Sequence, residues 1–198
     1  MKKTIILLIN IFALNCFGQQ FEGKIVFENS YKSKIENTPS EYLTQLFGNN
    51  HIVEIKNENY KLSGNGKLLQ YQLFLALENK LYTKLAAGET LGIKDLKKTE
   101  EKVKNVEVNR NSTEILTKIC DEFIVFCKNS TQRYFIESSL NISPELFKTK
   151  NFNYQLAFLV KNKIIPLKMI IEDNMGICES VAVEFKEEKI DENTFKIK

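Results

Sequence analysis

Alternation of apolar and polar side chains is the dominant pattern of this chain, and it is the feature that most limits how the chain can fold. In the stretch from residue 21 to 31, Ile25 and Phe27 alternate with Lys24 and Glu28. A period of two puts successive side chains on opposite faces of a strand, which is typical of half-buried β-strands. The pattern recurs along most of the chain and predicts about nine to eleven strands.

One early segment departs from this alternation and predicts a short helix over residues 39–47. Thr38 begins a capping box, and Pro39 suits the first helical position. Gly48 is the expected stop, because glycine readily adopts the backbone conformation that ends a helix. A second capped helical turn is expected at residues 143–145.

Turn residues separate the later strands. The Gly64-Asn65-Gly66 sequence predicts a tight hairpin. Residues 152–160 alternate in the strand pattern, and Asn162-Lys163 offers a turn into a returning strand that contains Leu167, Met169 and Ile171. A further turn is expected at 173–176.

These elements predict a mainly β (α+β) fold, in which a curved antiparallel sheet forms an incomplete barrel closed by one or two short helices. So many strands must hide one face of the sheet, and a helix lid over that face encloses an apolar cavity. No linker of Gly and Ser divides the chain, so residues 19–198 are expected to form a single domain.

The first residues are typical of a secretory leader. Lys2 and Lys3 precede an almost wholly apolar run, and small side chains at 16 and 18 favour cleavage before Gln19, which makes 1–18 a signal peptide. The alternative is lipidation at Cys16. The chain is therefore expected to be exported, to the periplasm or the outer membrane of a Gram-negative cell, or to the exterior.

Charge and residue usage argue against several classes of function. Removing the two leader lysines from the 28 basic residues leaves 26 against 25 acidic residues, so no nucleic-acid partner is expected. His51 is the only histidine, and its position beside Val53 and Ile55 in a strand favours a surface or strand-edge histidine over a catalytic base. No nucleophile elbow surrounds any serine, so we expect no catalytic residues, no metal, no cofactor and no enzymatic activity.

Three cysteines remain after the leader, at 120, 127 and 178. Cys120 and Cys127 lie on one strand without a turn, about 23 Å apart at ~3.3 Å per residue, which is beyond the ~7 Å limit for a bridge. Any internal disulfide must therefore involve Cys178. We favour Cys120–Cys178 with Cys127 buried and free; the alternative is three buried thiols.

The aliphatic and aromatic stripes of the strands are the candidate binding surface. If they share the concave side of the sheet, they would line a cavity that holds a ligand by burial at ~0.8 kcal/mol per methylene. The candidate lining residues are Ile25, Phe27, Val53, Ile55, Tyr60, Leu62, Tyr71, Leu73, Leu75, Leu156, Phe158, Leu167, Met169 and Ile171.

Several of these segments, in this order, resemble the LolA/LolB-like periplasmic lipoprotein-carrier domains and their secreted relatives. The similarity is carried by Phe21-to-Ile25, Tyr60-Lys61-Leu62, Ile164-to-Met169 and Asp191-to-Phe195. It implies a half-barrel with an apolar, lipid-accepting interior. Because the chain has no arginine before Arg110, the family's arginine-held lid is not expected here, and general acyl or lipid binding is the expected role.

The function expected from the sequence is therefore binding of a lipid or acyl chain in the cell envelope. A lipid or an acylated protein is the expected partner, and peripheral contact with a membrane fits this role. The alternative is a structural or interaction module of the envelope that has no internal ligand. The sequence does not indicate the oligomeric state.

Overall fold

The computed structural model of the chain describes residues 21–86, 91–95, 102–148 and 155–197. The expected leader at 1–18, with Cys16, lies outside these residues, and so does Tyr154. Eleven strands form one sheet in the described part, which confirms the expected mainly β fold. The strands are β1 (Gly23–Ser33), β2 (Asn50–Lys56), β3 (Asn59–Gly64), β4 (Leu69–Leu75), β5 (Lys80–Leu85), β6 (Leu91–Asp95), β7 (Val103–Ile115), β8 (Lys118–Cys127), β9 (Thr131–Glu137), β10 (Pro166–Glu172) and β11 (Gly176–Glu187).

Two α-helices and three 3₁₀ turns accompany the sheet. They are α1 (Ser40–Phe47), α2 (Gln155–Lys161) and the turns Ser138–Leu140, Pro144–Lys148 and Glu192–Phe195. The turn at Pro144 confirms the expected helical turn there. No helix among the described residues is both long enough and apolar enough to cross a membrane.

The sheet is antiparallel throughout and consists of two meanders. Strands β1 to β6 follow one another outward, β7 to β11 do the same from the other edge, and the two halves join where β1 pairs with β11. In the described residues, the edge strands β6 and β7 do not pair with each other, so the sheet does not close into a barrel.

Both α-helices lie on one face of the sheet, which we call the helix face. On β1 this face carries Ile25, Phe27 and Tyr31. Ile25 and Phe27 pack in one core cluster with Ala157 and Val160 of α2, and the ring of Tyr31 lies 5.9 Å from the ring of Phe47 of α1. The opposite side is called the outer face.

Helix α1 agrees with its predicted bounds to within one residue. The expected cap does not form: Pro39 occupies the N-cap position, and no side chain caps the helix start. Gly48 ends the helix as expected, with φ at 88°. The predicted hairpin loop packs against this end, where a Cβ on Gly66 would come within 2.4 Å of the Leu46 carbonyl oxygen. Glycine at this position therefore lets the loop approach the helix closely.

The predicted strand at 152–160 is wrong, because the described part of this segment is helix α2. Leu156, Phe158 and Val160 alternate, but Ala157 and Leu159 between them are equally apolar and are buried. A short segment that is apolar at every position fits a buried helix as well as a strand. Helix α2 packs Val160 against the cluster around β1 to β3 and Leu159 against a second cluster under β8 and β9.

The two faces of strand β4 are exchanged relative to the prediction. Tyr60 of β3 is the direct partner of Phe74, which therefore shares the helix face. Tyr71, Leu73 and Leu75 consequently lie on the outer face, where the chain's C-terminal segment covers them through Ile190 and Phe195. The expectation that these three residues line the concave side is wrong.

Candidate functional site

A cavity of about 300 Å³ lies between α1 and the helix face of the sheet. Helix α1 forms its roof, while β1, β2, β10 and β11 form its floor and walls. Its lining is largely apolar, and the turn between β10 and β11 forms its rim, where the Met175 side chain is about half exposed. The lining residues are Tyr31, Leu43, Phe47, His51, Ile171, Asp173, Met175, Gly176, Ile177 and Cys178. We call this space the α1 cavity.

The floor of the cavity is set by the register of three neighbouring strands. Cys178 of β11 is the direct partner of Tyr31 on β1 and of Ile171 on β10. Directly paired residues on adjacent antiparallel strands point to the same side of a sheet. The three side chains therefore form one row under α1.

The roof is held in place by hydrogen bonds to the last turn of α1. The Tyr31 hydroxyl donates to the Gly48 carbonyl at 3.0 Å. Backbone N–H groups of Lys67 and Leu68 donate to the carbonyls of Gln45 and Leu46, each at 2.9 Å. Carbonyls at a helix end have no partner within the helix, so these bonds fix α1 against both the sheet and the β3–β4 loop.

His51 also holds the roof from inside the cavity. It lies in β2, an internal strand, and its Nε2 is 2.8 Å from the Phe47 carbonyl oxygen. Burial lowers the pKa of His51, an effect that the bond to Phe47 partly offsets. In a neutral imidazole that donates from Nε2 to this carbonyl, Nδ1 is left as an acceptor. The expectation of a surface or strand-edge histidine is therefore wrong, because His51 is partly buried in an internal strand.

The thiol and the phenol on the floor are held in their neutral forms. Burial raises the pKa of Cys178, although hydrogen bonding by Ser180 and by the Tyr31 hydroxyl acts in the opposite direction. Burial likewise raises the pKa of Tyr31, and the neighbouring Cys178 adds to this effect. Both groups therefore present uncharged polar atoms to the cavity.

Most of the predicted lining residues lie elsewhere. Ile171 alone of that set lines the α1 cavity. Ile25, Phe27, Val53, Ile55, Tyr60 and Leu167 are buried in the core cluster beneath α2, with Leu62 and Leu156 packed against it. Phe158 packs on the second cluster, and Met169 contacts both clusters. The side chains of α2 occupy the middle of the helix face, so the open space lies at its α1 end.

The expected Cys120–Cys178 disulfide is also wrong, since Cys120, Cys127 and Cys178 are free thiols. Strands β9 and β10 separate β8 from β11, which puts the two cysteines at least about 14 Å apart at ~4.8 Å per strand. They also point to opposite faces, because Cys178 shares its row with Val125, an odd number of residues from Cys120. Cys127 is buried and free, as expected.

Sequence reasoning missed most of the α1 cavity. Tyr31 continues the alternation of Ile25 and Phe27, so the sequence pattern predicts that all three side chains lie on the same face of the strand. Leu43 and Phe47 lie on the apolar face of the predicted helix. No sequence signal showed where α1 docks, and that docking creates the cavity.

Comparisons with known proteins add little to this picture. Neither a protein-family model nor a curated protein sequence matches the chain. Among solved structures, the chain is similar to one described as PNGF-II in the P21 space group, with 13% identity and a TM-score of 0.43. The match covers 88% of this chain and 30% of that chain, so the present chain spans less than a third of its length.

Proposed function

We propose that this protein binds a small apolar ligand, such as one acyl chain of a lipid or an acylated protein, in the α1 cavity. The observation that carries the proposal is an apolar space of about 300 Å³ beside the core cluster that packs under α2. Ligand sites generally begin at about this size and combine an apolar lining with a few polar groups. Both properties describe the α1 cavity.

Burial alone would supply the affinity for such a ligand. Each methylene removed from water contributes ~0.8 kcal/mol, so a chain of about ten carbons contributes ~8 kcal/mol, which is equivalent to micromolar affinity before the cost of immobilisation is subtracted. Leu43, Phe47 and Ile171 provide the contact surface. Side-chain identity matters less than volume for binding of this kind.

The hydrogen bonds that fix helix α1 in place indicate that the ligand site is preformed. Hydrogen bonds from Tyr31, His51 and the β3–β4 loop hold the end of α1, so the cavity does not depend on the ligand for its shape. A preorganised site loses less conformational entropy on binding. Met175, about half exposed at the rim, is flexible enough to admit a chain of variable shape.

The polar groups in the cavity support binding rather than catalysis. A thiolate is the nucleophilic form of cysteine, and burial favours the neutral thiol of Cys178. His51 directs Nε2 to a backbone carbonyl. The proposal therefore includes a non-enzymatic role. It also includes export of the protein, directed by the expected signal peptide at 1–18.

The proposal retains the carrier-like role implied by the resemblance to LolA/LolB-like domains but moves the ligand. The sequence predicts the ligand on the concave side of the sheet, among side chains that pack beneath α2. In our proposal the ligand lies instead under α1, at the end of β1 where Tyr31 pairs with Cys178.

Fluorescence of the neutral probe N-phenyl-1-naphthylamine would test this proposal. The purified protein should raise the emission of the probe in a saturable manner. Ile171→Trp fills the cavity and should abolish the signal, whereas Ile119→Trp, at a residue 55% exposed on β8, should retain it. Thermal unfolding of both variants would establish that they are folded.

The same experiment addresses the second candidate, an envelope interaction module without an internal ligand. That candidate is favoured by the close packing of most of the helix face. Absence of probe binding, together with no lipid in a solvent extract of the purified protein, would reject the ligand-binding proposal in favour of the interaction module.

A further inference from the structure

The charge around the α1 cavity bears on the head group that a ligand can carry. Among the described residues that line it, Asp173 is the one acidic side chain and there is no lysine or arginine. The cavity therefore offers an anion no direct cationic partner, while its rim carries a carboxylate.

The Asp173 carboxylate is fixed in position by its own turn. Its Oδ1 accepts hydrogen bonds from the backbone N–H groups of Met175 and Gly176, at 2.8 and 3.1 Å. Its Oδ2 accepts no hydrogen bond from the described part of the chain. A carboxylate held in this way cannot swing away from a neighbouring charge without breaking the turn.

The cations beside this rim are arranged around Glu172, which pairs with Lys34 and feels the charges of Lys32 and Arg133 at longer range. Lys34 Nζ lies 2.6 Å from Glu172 Oε1 and 3.3 Å from the backbone oxygen of Asp173, so its charge is matched by Glu172. Lys32 follows Tyr31 on β1 and therefore points to the outer face. Among the described residues that line the cavity, Asp173 is therefore the one side chain that carries a formal charge.

Resting on the proposed function, we infer that the α1 cavity selects amphiphiles by head-group charge and takes apolar chains with an uncharged or cationic head group. A chain inserted tail-first leaves its head group at the rim beside Asp173. A carboxylate or phosphate there meets a like charge, whereas an ammonium meets an opposite one. Fatty-acid anions are therefore poor ligands even when their chain fits.

Displacement of bound N-phenyl-1-naphthylamine by 1-decanol, decylammonium and decanoate tests this inference. The three share one chain length and differ in head-group charge; each is used below its micelle-forming concentration at pH 7.5 and low salt. Decanoate should bind about tenfold more weakly than decylammonium, and added salt should narrow the gap.

A matched pair of variants assigns the effect to one side chain. Asp173→Asn keeps an oxygen that can accept the turn hydrogen bonds, and should reduce the difference between decylammonium and decanoate to less than about twofold. Asp191→Asn is the control, because Asp191 Oδ1 accepts in the same manner from the Asn193 N–H, at 2.9 Å, away from the cavity. It should leave the difference unchanged.

The outcomes separate the two proposals. If decanoate displaces the probe as well as decylammonium does, or if Asp173→Asn leaves the gap intact, charge selection by Asp173 is wrong while ligand binding stands. If neither the probe nor any of the three amphiphiles binds, the proposed function fails and the inference fails with it.

Discussion

Tyr31 and Cys178 are direct partners in the pairing of β1 with β11, and both side chains line the α1 cavity. They lie where the first and last strands of the chain meet, which is also where the two meanders of the sheet join. The cavity floor therefore forms only when the two ends of the chain have come together. Any property measured at Cys178 reports on the assembled sheet.

Thiol labelling of the folded protein should modify Cys178 selectively and slowly. Cys178 is partly accessible, whereas Cys120 and Cys127 are buried, and burial raises the pKa of the Cys178 thiol. N-ethylmaleimide followed by peptide mass spectrometry should find one modified site, at a rate that rises with pH. Unfolding without reductant should expose three thiols in 19–198.

Two comparisons make this prediction decisive. Cys178→Ser should remove the labelling of the folded protein, and saturating 1-decanol should slow labelling of the natural protein because the ligand covers the thiol. Finding one thiol in the unfolded, unreduced chain would instead show that a disulfide forms and that the described arrangement of the cysteines is wrong.

Replacement of Asn29 by valine should stabilise the protein. Asn29 is 7% exposed, and neither polar atom of its side chain has a hydrogen-bond partner in the described part of the chain. An unpaired buried amide costs roughly 1–3 kcal/mol, and valine suits a strand. Asn29→Val should raise the free energy of unfolding in urea by about 1 kcal/mol.

A charged variant at the same position serves as a control that should have the opposite effect on stability. Asn29→Asp places an unpaired carboxyl group in the same position and should destabilise the protein strongly. The loss of unfolding free energy should grow as pH rises above the pKa that the aspartate has in the unfolded chain. Destabilisation by Asn29→Val would contradict the description of Asn29 as unpaired, and would indicate a buried water bound to its amide.

The sequence was sufficient for the sheet because alternation is strong where one face is buried and the other is wet, as in Ile25 and Phe27 against Lys24 and Glu28. It was insufficient for β4, where Leu73 and Phe74 are adjacent and both fully buried. A strand covered on both faces gives no sign of which face is inward. The cover on its outer face comes from the C-terminal segment, more than a hundred residues away.

The α1 cavity could be predicted only in part, because it too depends on contacts between segments that are distant in the sequence. Sequence analysis found the helix at 39–47 and an apolar interior. Where the helices pack depends on tertiary contacts, such as the fit of the Gly66 loop against α1. The sequence therefore predicts a ligand site along the concave side of the sheet, where α2 packs against most of the predicted lining residues.

A double-mutant cycle should confirm which face Leu73 occupies. Leu73 and Phe195 belong to one buried cluster on the outer face, so Leu73→Ala and Phe195→Ala should each cost about 2–4 kcal/mol. Their effects should be coupled by about 0.5–1.5 kcal/mol. Urea unfolding of the two single variants and the double variant measures this coupling.

The control cycle pairs Phe195 with Phe74, which lies on the helix face next to Leu73. Those two substitutions should be additive within ~0.5 kcal/mol, because the sheet separates the side chains. Coupling of Phe195 to Phe74 rather than to Leu73 would mean that β4 has the register originally expected from the sequence.

Stability should fall as pH decreases below about 6.5, the ordinary pKa of histidine, and His51 should cause the fall. Burial lowers the pKa of His51 in the folded state, so between the unfolded and folded pKa values the unfolded chain binds more protons. The stabilisation is complete above the unfolded pKa and is lost as pH falls through the folded one. His51 is the only histidine, and other side chains with ordinary pKa values do not titrate between pH 5.5 and 7.5.

Urea unfolding across that interval should show a sloping free energy for the natural protein and a flatter one for His51→Gln. Glutamine can still donate to the Phe47 carbonyl but takes up no proton, so the comparison isolates the charge. The His51 resonances should titrate below 6.5 in the folded protein. Equal slopes in the two proteins, or an ordinary pKa for His51, would show that the imidazole is more solvated than its place under α1 requires.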